Sequence, residues 1–105
     1  MNMHLKPEEL KIVSEILKRY VPEYTVIAFG SRVHGRNLKE FSDLDLAIKS
    51  PRPLPTEKLM SLQNAFSQSD LPFKVDVIDW ADTDENFRKI IEADWTLIQS
   101  ASLKS

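Results

Sequence analysis

The sequence predicts an α/β (α+β) domain in which helices flank a small mixed sheet of three to four strands. Two segments, residues 7–20 and 56–67, carry apolar side chains at helical spacing. Three short apolar runs, at residues 25–29, 43–48 and 73–79, have the length and pattern of strands. Helices that alternate with strands bury their apolar faces against a sheet. The segment between the first two strands has room for at most a short helix, so the sheet is expected to be mixed rather than purely parallel.

The first predicted helix, residues 7–20, carries the signals that mark a helix N-terminus. Pro7 suits the first helical position, and Glu8 and Glu9 suit the positive end of the helix dipole. The residues that recur at helical spacing are Leu10, Val13, Leu17 and Tyr20. They predict one apolar face that packs on the sheet.

The middle of the chain supplies two strands and a second helix. The strand at residues 25–29 ends abruptly at Gly30-Ser31, and the strand at residues 43–48 alternates between acidic and apolar side chains. Residues 50–55 contain three prolines, which exclude a helix or a central strand there. The following helix, residues 56–67, has an apolar face made of Leu59, Leu62 and Phe66.

The last helix is expected to begin at a capping box, because Asp82 is followed three residues later by Glu85. Its expected apolar positions are Phe87, Ile90, Ile91, Leu97 and Ile98. These positions extend the predicted helix to about residue 98.

Composition limits the classes of protein to which the chain can belong. Its 105 residues suit one domain over residues 1–105, and a formal net charge of −2 argues against a general nucleic-acid binder. The absence of cysteine excludes disulfides and thiolate metal sites, which agrees with an expected cytoplasmic location. The N-terminus has no apolar signal segment, and no apolar run approaches the roughly 20 residues that span a bilayer, so no membrane association is expected.

Three aspartates in strand patterns are the most informative feature of the sequence, because aspartate is disfavoured in strands. Asp43 and Asp45 are two residues apart, so their side chains share one face of the strand while Leu44 and Leu46 point into the core. Asp76 lies in the third strand. Carboxylates that face one another repel unless a cation is present, and oxygen ligands suit Mg²⁺ or Mn²⁺. The three aspartates are therefore candidate metal ligands.

Each acid also has a structural interpretation. Asp43 follows Ser42 at a strand start, where aspartate is common in turns, and Asp76 could be an exposed edge residue that pairs with Lys74. Asp79 ends the third strand and is expected to be a cap or turn residue. An α/β domain whose acids are all structural would have no affinity for nucleotides.

The Gly30-Ser31 turn is the candidate phosphate-binding element. Glycine lets the backbone approach a ligand closely, and backbone N–H groups at a strand-to-helix turn favour anions. The nearby basic residues Arg32, Arg36 and Lys39 add positive charge where phosphates would lie. His34 is expected to be a surface or supporting residue, and a zinc site is rejected because one nearby histidine does not make one.

The run from Phe29 to Arg36, followed by residues 42–48, resembles the signature of the DNA polymerase β-like nucleotidyltransferase superfamily. That signature is an apolar residue, Gly-Ser, a gap of about ten residues and then Asp-x-Asp; here eleven residues separate Ser31 from Asp43. Residues 74–79 look like the strand that carries the family's third carboxylate. The resemblance implies the nucleotidyltransferase fold. It is closest to the minimal nucleotidyltransferases, which are commonly paired with a small all-helical HEPN toxin.

This resemblance implies a function and a role for each motif residue. The expected reaction is Mg²⁺-dependent transfer of AMP from ATP to a hydroxyl, expected to be that of a tyrosine, on a HEPN partner in a hetero-oligomer, as in a type VII-like antitoxin. Gly30 and Ser31 would bind the triphosphate, with Arg32 near the phosphates. Asp43 and Asp45 would bind metal and nucleotide, and Asp76 would complete the metal site and help to deprotonate the acceptor. No direct binding of nucleic acid is expected.

Two alternatives to this function remain open at the level of sequence. The first is a non-catalytic, nucleotide-binding interaction module that neutralises its partner by binding alone. The second concerns the acceptor, which could be a free small molecule. A chain of 105 residues has little material left to grip an acceptor once the sheet and the nucleotide cleft are built, which favours an acceptor on a separate protein.

Overall fold

Four strands form one mixed sheet in the computed structural model, which describes residues 3–36, 38–39 and 41–101. Their order across the sheet is β3-β2-β1-β4. In chain order the elements are α1 (Pro7–Tyr20), β1 (Thr25–Phe29), α2 (Ser31–His34), β2 (Leu44–Lys49), α3 (Thr56–Ser67), β3 (Val75–Asp79), a 3₁₀ turn (Trp80–Asp82), α4 (Glu85–Ala93) and β4 (Trp95–Gln99). No helix within these residues has the length and apolar character needed to cross a membrane.

The sheet is mixed, as the short first connection predicts. β1 is antiparallel to both of its neighbours, β2 and β4, whereas β2 and β3 are parallel. Parallel strands need a long crossover, and α3 provides it between β2 and β3. The predicted bounds of α1, β1 and α3 are confirmed, while β2 begins at Leu44 and β3 at Val75, slightly later than their apolar patterns suggest.

The two faces of the sheet are covered differently. One face is buried under α1 and α3, and its core contains Val13, Leu17, Leu44, Leu46, Ile48, Leu62 and Phe66. This is the face into which the apolar residues of β2 were predicted to point. On the other face, α4 covers only part of the sheet through Ile91, which packs with Ile27, Phe29 and Ala47. The uncovered remainder of that second face is where Asp45 lies.

The predicted last helix is wrong at both ends. The N-cap is Asp84, whose carboxylate accepts a hydrogen bond from the backbone N–H of Phe87 at 2.8 Å, and Asp82 belongs to the preceding 3₁₀ turn. The helix ends at Ala93, so Leu97 and Ile98 lie in β4 and not in the helix. Pairing with β1 satisfies the backbone of residues 95–99, and this tertiary pairing outweighs their helical spacing.

The two edges of the sheet differ in their protection. At the β3 edge the side-chain amide of Gln63 takes the place of a neighbouring strand. Its Nε2 donates to the Val75 carbonyl at 3.0 Å, and its Oε1 accepts from the Val77 N–H at 2.9 Å. At the other edge β4 pairs with β1, and no strand lies on its far side within the described residues. The β4 edge therefore remains open to a partner.

Candidate functional site

The parallel register of β2 and β3 places Asp45 directly beside Asp76. Their side chains share the face of the sheet opposite Leu44 and Leu46, because side chains alternate along a strand. Asp45 is half-buried, whereas Asp76 and Asp43 are exposed. Asp43 precedes the first residue of β2, so only Asp45 is held on both sides by strand pairing. The fold thus brings Asp45 and Asp76 together on one face, while the predicted place of Asp43 on that face stays a prediction.

Gly30 brings the candidate phosphate-binding turn against the same carboxylate. β1 ends at Phe29, which pairs with Asp45 across the sheet, and Gly30 follows at once. Gly30 has φ of +83°, and a Cβ built there would overlap a carboxylate oxygen of Asp45 and lie 3.3 Å from its Cγ. Only glycine adopts this positive φ without strain and also has no Cβ to overlap the carboxylate. The turn and the carboxylate are therefore closely fitted to each other.

Helix α2 follows Gly30 with no spacer. The backbone N–H groups of Val33 and His34 donate to the Gly30 carbonyl at 2.9 and 3.1 Å, which closes the single turn of the helix. Ser31 opens this turn and is partly exposed. Ser31 therefore comes directly after Gly30, the residue that lies against Asp45.

The acids of the site affect one another electrostatically. The pKa of the Asp45 carboxyl is raised from 3.8 to about 6, first because burial disfavours the charged form and then because the carboxylates of Asp76 and Asp43 repel it. Without a cation, burial and the two neighbouring carboxylates destabilise the ionised form of Asp45. A bound divalent ion would remove that repulsion.

The donor set fits magnesium better than a closed metal cage. Within the residues that the structure describes, no three His, Asp or Glu side chains are already placed to enclose one ion. Mg²⁺ is usually held by one or two carboxylates together with water and substrate phosphates, so it does not need three protein ligands. Asp43, Asp45 and Asp76 supply oxygen only, which agrees with such an ion.

Arg32 has a structural position that sequence reasoning missed. The guanidinium is buried, with Nε donating to the Ser42 carbonyl at 2.7 Å and Nη1 to the His4 carbonyl at 2.9 Å. It also lies 4.0 Å above the centre of the Phe73 ring. Arg32 thus joins the N-terminal segment, α2 and the loop before Asp43, and its predicted contact with phosphate stays a prediction.

The other basic residues near the turn are fixed by contacts of their own. Arg36 forms an exposed ion pair with Asp94 at 2.9 Å, which links the end of α2 to the end of α4. His34 accepts a hydrogen bond at Nδ1 from the Arg36 N–H at 2.9 Å, in agreement with a supporting role. The backbone N–H of Lys39 donates to the Ser42 hydroxyl at 2.8 Å. These contacts hold the end of α2 against the end of α4, and residue 39 against residue 42.

Asp79 is a cap residue, as the sequence predicts. Its buried carboxylate accepts hydrogen bonds from the Leu54 N–H at 2.6 Å, the Ser50 hydroxyl at 3.1 Å and the Ala81 N–H at 3.2 Å. It therefore anchors the proline-rich loop to the end of β3. Asp79 faces away from the group formed by Asp45 and Asp76, because it is an odd number of residues along the strand from Asp76.

The face that carries Asp45 also carries aromatic side chains that sequence reasoning did not assign to the site. Trp95 in β4 pairs with Phe29 in β1, and Phe29 pairs with Asp45. The ring of Phe87 in α4 packs edge-on against Phe29, with centroids 5.9 Å apart. The alternating exposure of residues 95–99 would have been the signal, but the helical interpretation of that segment hid it.

Sequence comparison relates the chain to known nucleotidyltransferases. The family model described as the nucleotidyltransferase domain matches residues 10–104. A protein of Haemophilus influenzae named as a probable protein adenylyltransferase, MntA, is 54% identical over 97 residues, which cover 92% of this chain and 84% of that protein.

Solved structures support the same fold. A toxin–antitoxin crystal structure with AMP-PNP superposes with a TM-score of 0.72 at 18% identity, covering 89% of this chain and 74% of the matched chain. A complex of a tri-AMPylated Shewanella oneidensis HEPN toxin with its MNT antitoxin gives a TM-score of 0.64 at 16% identity, covering 88% and 70%. The extent of the family match and the identity to MntA show that this chain belongs to the nucleotidyltransferase domain family, as a minimal nucleotidyltransferase of the group that contains the adenylyltransferase MntA.

Proposed function

We propose that this chain transfers AMP from ATP to a hydroxyl, expected to be that of a tyrosine, on a partner HEPN protein, and that it thereby acts as a type VII-like antitoxin. Its family and its relation to MntA make it an adenylyltransferase by enzyme class. The observation that carries the proposal is the position of Asp45, which lies between Asp76 and the Gly30 backbone on one open face of the sheet.

The proposed reaction is a displacement at the α-phosphorus of ATP. The acceptor oxygen forms a new bond to this phosphorus, the bond to the bridging oxygen of pyrophosphate breaks, and pyrophosphate leaves. Asp76, the exposed member of the pair, would receive the proton of the acceptor hydroxyl. Mg²⁺, held by Asp43, Asp45 and Asp76 when bound, would neutralise charge on the triphosphate and lower the pKa of the acceptor hydroxyl.

Gly30 and Ser31 would hold the triphosphate beside these acids. The missing side chain at Gly30 keeps the backbone in contact with Asp45, so a phosphate bound at the turn lies next to the carboxylates. The Ser31 hydroxyl would donate to a phosphate oxygen. Positioning of the two reactants thus supplies most of the catalysis, since the protein itself forms no covalent bond.

The expected partner is supported by relatives and by chain length. The solved complex from Shewanella oneidensis pairs an antitoxin of the same fold with a HEPN toxin that carries three AMP groups. In the present chain, the helices and strands that build the sheet, its cover and the site occupy about two thirds of the described residues. The acceptor is therefore expected on a separate protein. We also propose that the chain acts in the cytoplasm.

The proposal can be tested by mass spectrometry. The chain is incubated with ATP, Mg²⁺ and a candidate HEPN partner protein, and a mass increase of about 329 Da per AMP is expected on that protein. The double variant Asp43→Asn/Asp45→Asn should abolish the increase. Asp70→Asn, which removes an exposed carboxylate outside the site, should leave it unchanged. Persistence of the adduct in the double variant would refute the assigned site.

A non-catalytic interaction module is the second candidate function. In this module nucleotide would still bind at the Gly30-Ser31 turn, but contact between the two protein surfaces alone would neutralise the toxin. In cells, full neutralisation of the toxin by Asp43→Asn/Asp45→Asn would support this module and exclude AMP transfer as the mechanism. Titration calorimetry with ATP and Mg²⁺ separates both candidates from a domain with purely structural acids, which would bind no nucleotide.

A further inference from the structure

Exposed large apolar side chains are concentrated in the last helix and the last strand of the described residues. Six large apolar side chains are exposed within the described residues, and four of them belong to α4 and β4. They are Phe87, Ile90, Trp95 and Leu97, and we call them the α4–β4 surface. Apolar groups of this size, when they lie close together, commonly mark a site of protein association.

The α4–β4 surface is continuous with the candidate catalytic face. Trp95 and Asp45 flank Phe29 in register on the same face, which puts their backbones about 10 Å apart, since neighbouring strands are about 4.8 Å apart. Phe87 packs on the edge of the same Phe29 ring. A protein seated on this surface would therefore also reach the position in front of Asp45.

A cavity in this surface can receive an anchoring side chain. Its volume is about 180 Å³, and it is lined by Ile27, Trp95, Leu97, Thr25, Lys49 and Glu92. The volume corresponds to about six water molecules at about 30 Å³ each, which is enough for one apolar side chain. An apolar pocket with a polar rim is typical of the central anchor of a protein interface.

We propose that the α4–β4 surface is the docking surface for the protein that carries the acceptor hydroxyl, which places an apolar side chain in the cavity beside Trp95. This inference rests on the proposed function, because it assumes that the acceptor is a protein. The open edge of β4 adds unpaired backbone groups to the same surface, whereas Gln63 blocks the opposite edge.

The charge of the region selects the acceptor protein over a second copy of this chain. Residues 82–94 contain five acidic and two basic side chains, and Arg36 pairs with one of these acids, Asp94, so the region keeps an acidic excess of two. A two-fold contact between copies would bring this acidic segment against itself, which is repulsive. A partner with an apolar patch rimmed by Lys or Arg would complement it. The acceptor protein must in any case approach Asp45 and Asp76 to be modified.

Ile90 and Met60 provide a matched pair of test positions. Both lie on helices, and their exposed fractions are 66% and 65%. The dissociation constant for the candidate HEPN partner protein is measured without ATP for wild type, Ile90→Asp and Met60→Asp. We expect Ile90→Asp to weaken binding at least about tenfold, as loss of an interface anchor does, and Met60→Asp to have no effect. Affinity for Mg·ATP should be unchanged in both variants, which verifies that they are folded.

The transfer reaction gives a second measurement. For Ile90→Asp, KM for the acceptor protein should rise while kcat at saturating acceptor stays the same, because the catalytic groups are intact. Equal affinity of wild type and Ile90→Asp, or equal weakening by both variants, would overturn the inference. It would also be overturned if Ile90→Asp converted a dimer of this chain into monomers without changing acceptor binding. Ile90-dependent binding without any AMP adduct would instead refute the proposed transfer and leave the docking surface in place.

Discussion

At the scale of single residues, the site depends on the fit between Gly30 and Asp45. Gly30 combines a positive φ with a position at which a Cβ would overlap the Asp45 carboxylate, so a side chain there is disfavoured for two separate reasons. Gly35, the other glycine of the chain, also has positive φ, but a side chain there would meet the flexible end of His4. Substitutions at the two glycines therefore distinguish the effect of backbone strain from the effect of displacing the carboxylate.

Gly30→Ala should lower both stability and activity. The unfavourable φ is expected to reduce the free energy of unfolding by about 1–3 kcal/mol, and displacement of Asp45 by even about 1 Å should reduce AMP transfer about 100-fold. Gly35→Ala is the control, with a similar loss of stability and a much smaller loss of transfer. Urea unfolding and initial transfer rates provide the two measurements, and equal activity of the two variants would contradict the assigned contact.

Asp45→Asn should stabilise the metal-free protein at neutral pH. The pKa of Asp45 is about 6 in the folded state against an ordinary value of 3.8. The protonated side chain therefore makes its full contribution to the free energy of unfolding below pH 3.8, and this contribution is lost as the pH rises through 6. Above that pH, the ionised carboxylate destabilises the fold. After discounting for the solvent screening of a half-exposed group, the variant should gain on the order of 1 kcal/mol at pH 7.5.

Urea unfolding in EDTA at pH 4 and pH 7.5 provides the measurement for Asp45. The difference in unfolding free energy between variant and wild type should be near zero at pH 4 and should grow with pH. Asp70→Asn, at an exposed site outside the group of acids, should show no such trend. A gain that is the same at both pH values would show that charge repulsion is not its cause.

At the scale of secondary-structure elements, Arg32 organises the approach to the site. Its guanidinium connects α2 with the segment before α1 through His4 and with the loop before β2 through Ser42. The His4 N–H in turn donates to the Arg32 carbonyl at 2.6 Å. These contacts hold Ser42, and hence the neighbouring Asp43, at a fixed distance from the Gly30 turn.

Arg32→Met should destabilise the fold and weaken nucleotide binding indirectly. Each hydrogen bond to a carbonyl is a charged one, and its loss leaves the carbonyl without this donor, so about 2–3 kcal/mol of unfolding free energy should be lost. Arg19→Met, on the exposed side of α1, should cost little. Urea unfolding measures the stability. If Arg32 also contacts phosphate, the salt dependence of ATP affinity should decrease in Arg32→Met, and if its role is structural alone, the dependence should stay as in wild type.

At the scale of the whole molecule, one face of the sheet forms the core and the other carries the candidate site. One face is sealed by α1 and α3, and the other is shared between α4 and the carboxylates. A ligand on the second face therefore binds to strands whose reverse side is fixed in the core. Such a site exists only in the folded chain, so ligand binding must add to the stability of the entire domain.

Mg²⁺ with a non-hydrolysable ATP analogue should raise the thermal unfolding temperature. At a ligand concentration of a hundred times Kd, the free energy of unfolding should increase by about 2.7 kcal/mol. Asp45→Asn should lose this increase, although its metal-free form is the more stable one. Thermal unfolding followed by circular dichroism tests both statements. A variant that responds to the ligand as wild type does would remove Asp45 from the site.

Local patterns predicted part of the fold because they report contacts between sequence neighbours. α1, β1 and α3 have their predicted bounds, and the opposite faces of Asp45 and its neighbours Leu44 and Leu46 follow from the two-residue period of a strand. The segment at 95–99 could not be assigned in this way, since a five-residue apolar run suits a helix as well as a strand. Its pairing with β1, almost 70 residues earlier in the chain, decided the outcome.

The sequence alone determined the element types of the N-terminal two-thirds, the Gly-Ser turn and the acids that follow it, because these depend on local spacing. Only the tertiary structure decided that Asp76 lies in register with Asp45, that Arg32 is buried against Phe73, and that Trp95 shares the face of the site. Each of these depends on strand register or on side-chain packing between distant segments. No local pattern encodes such contacts, since they are fixed by the free energy of the assembled domain.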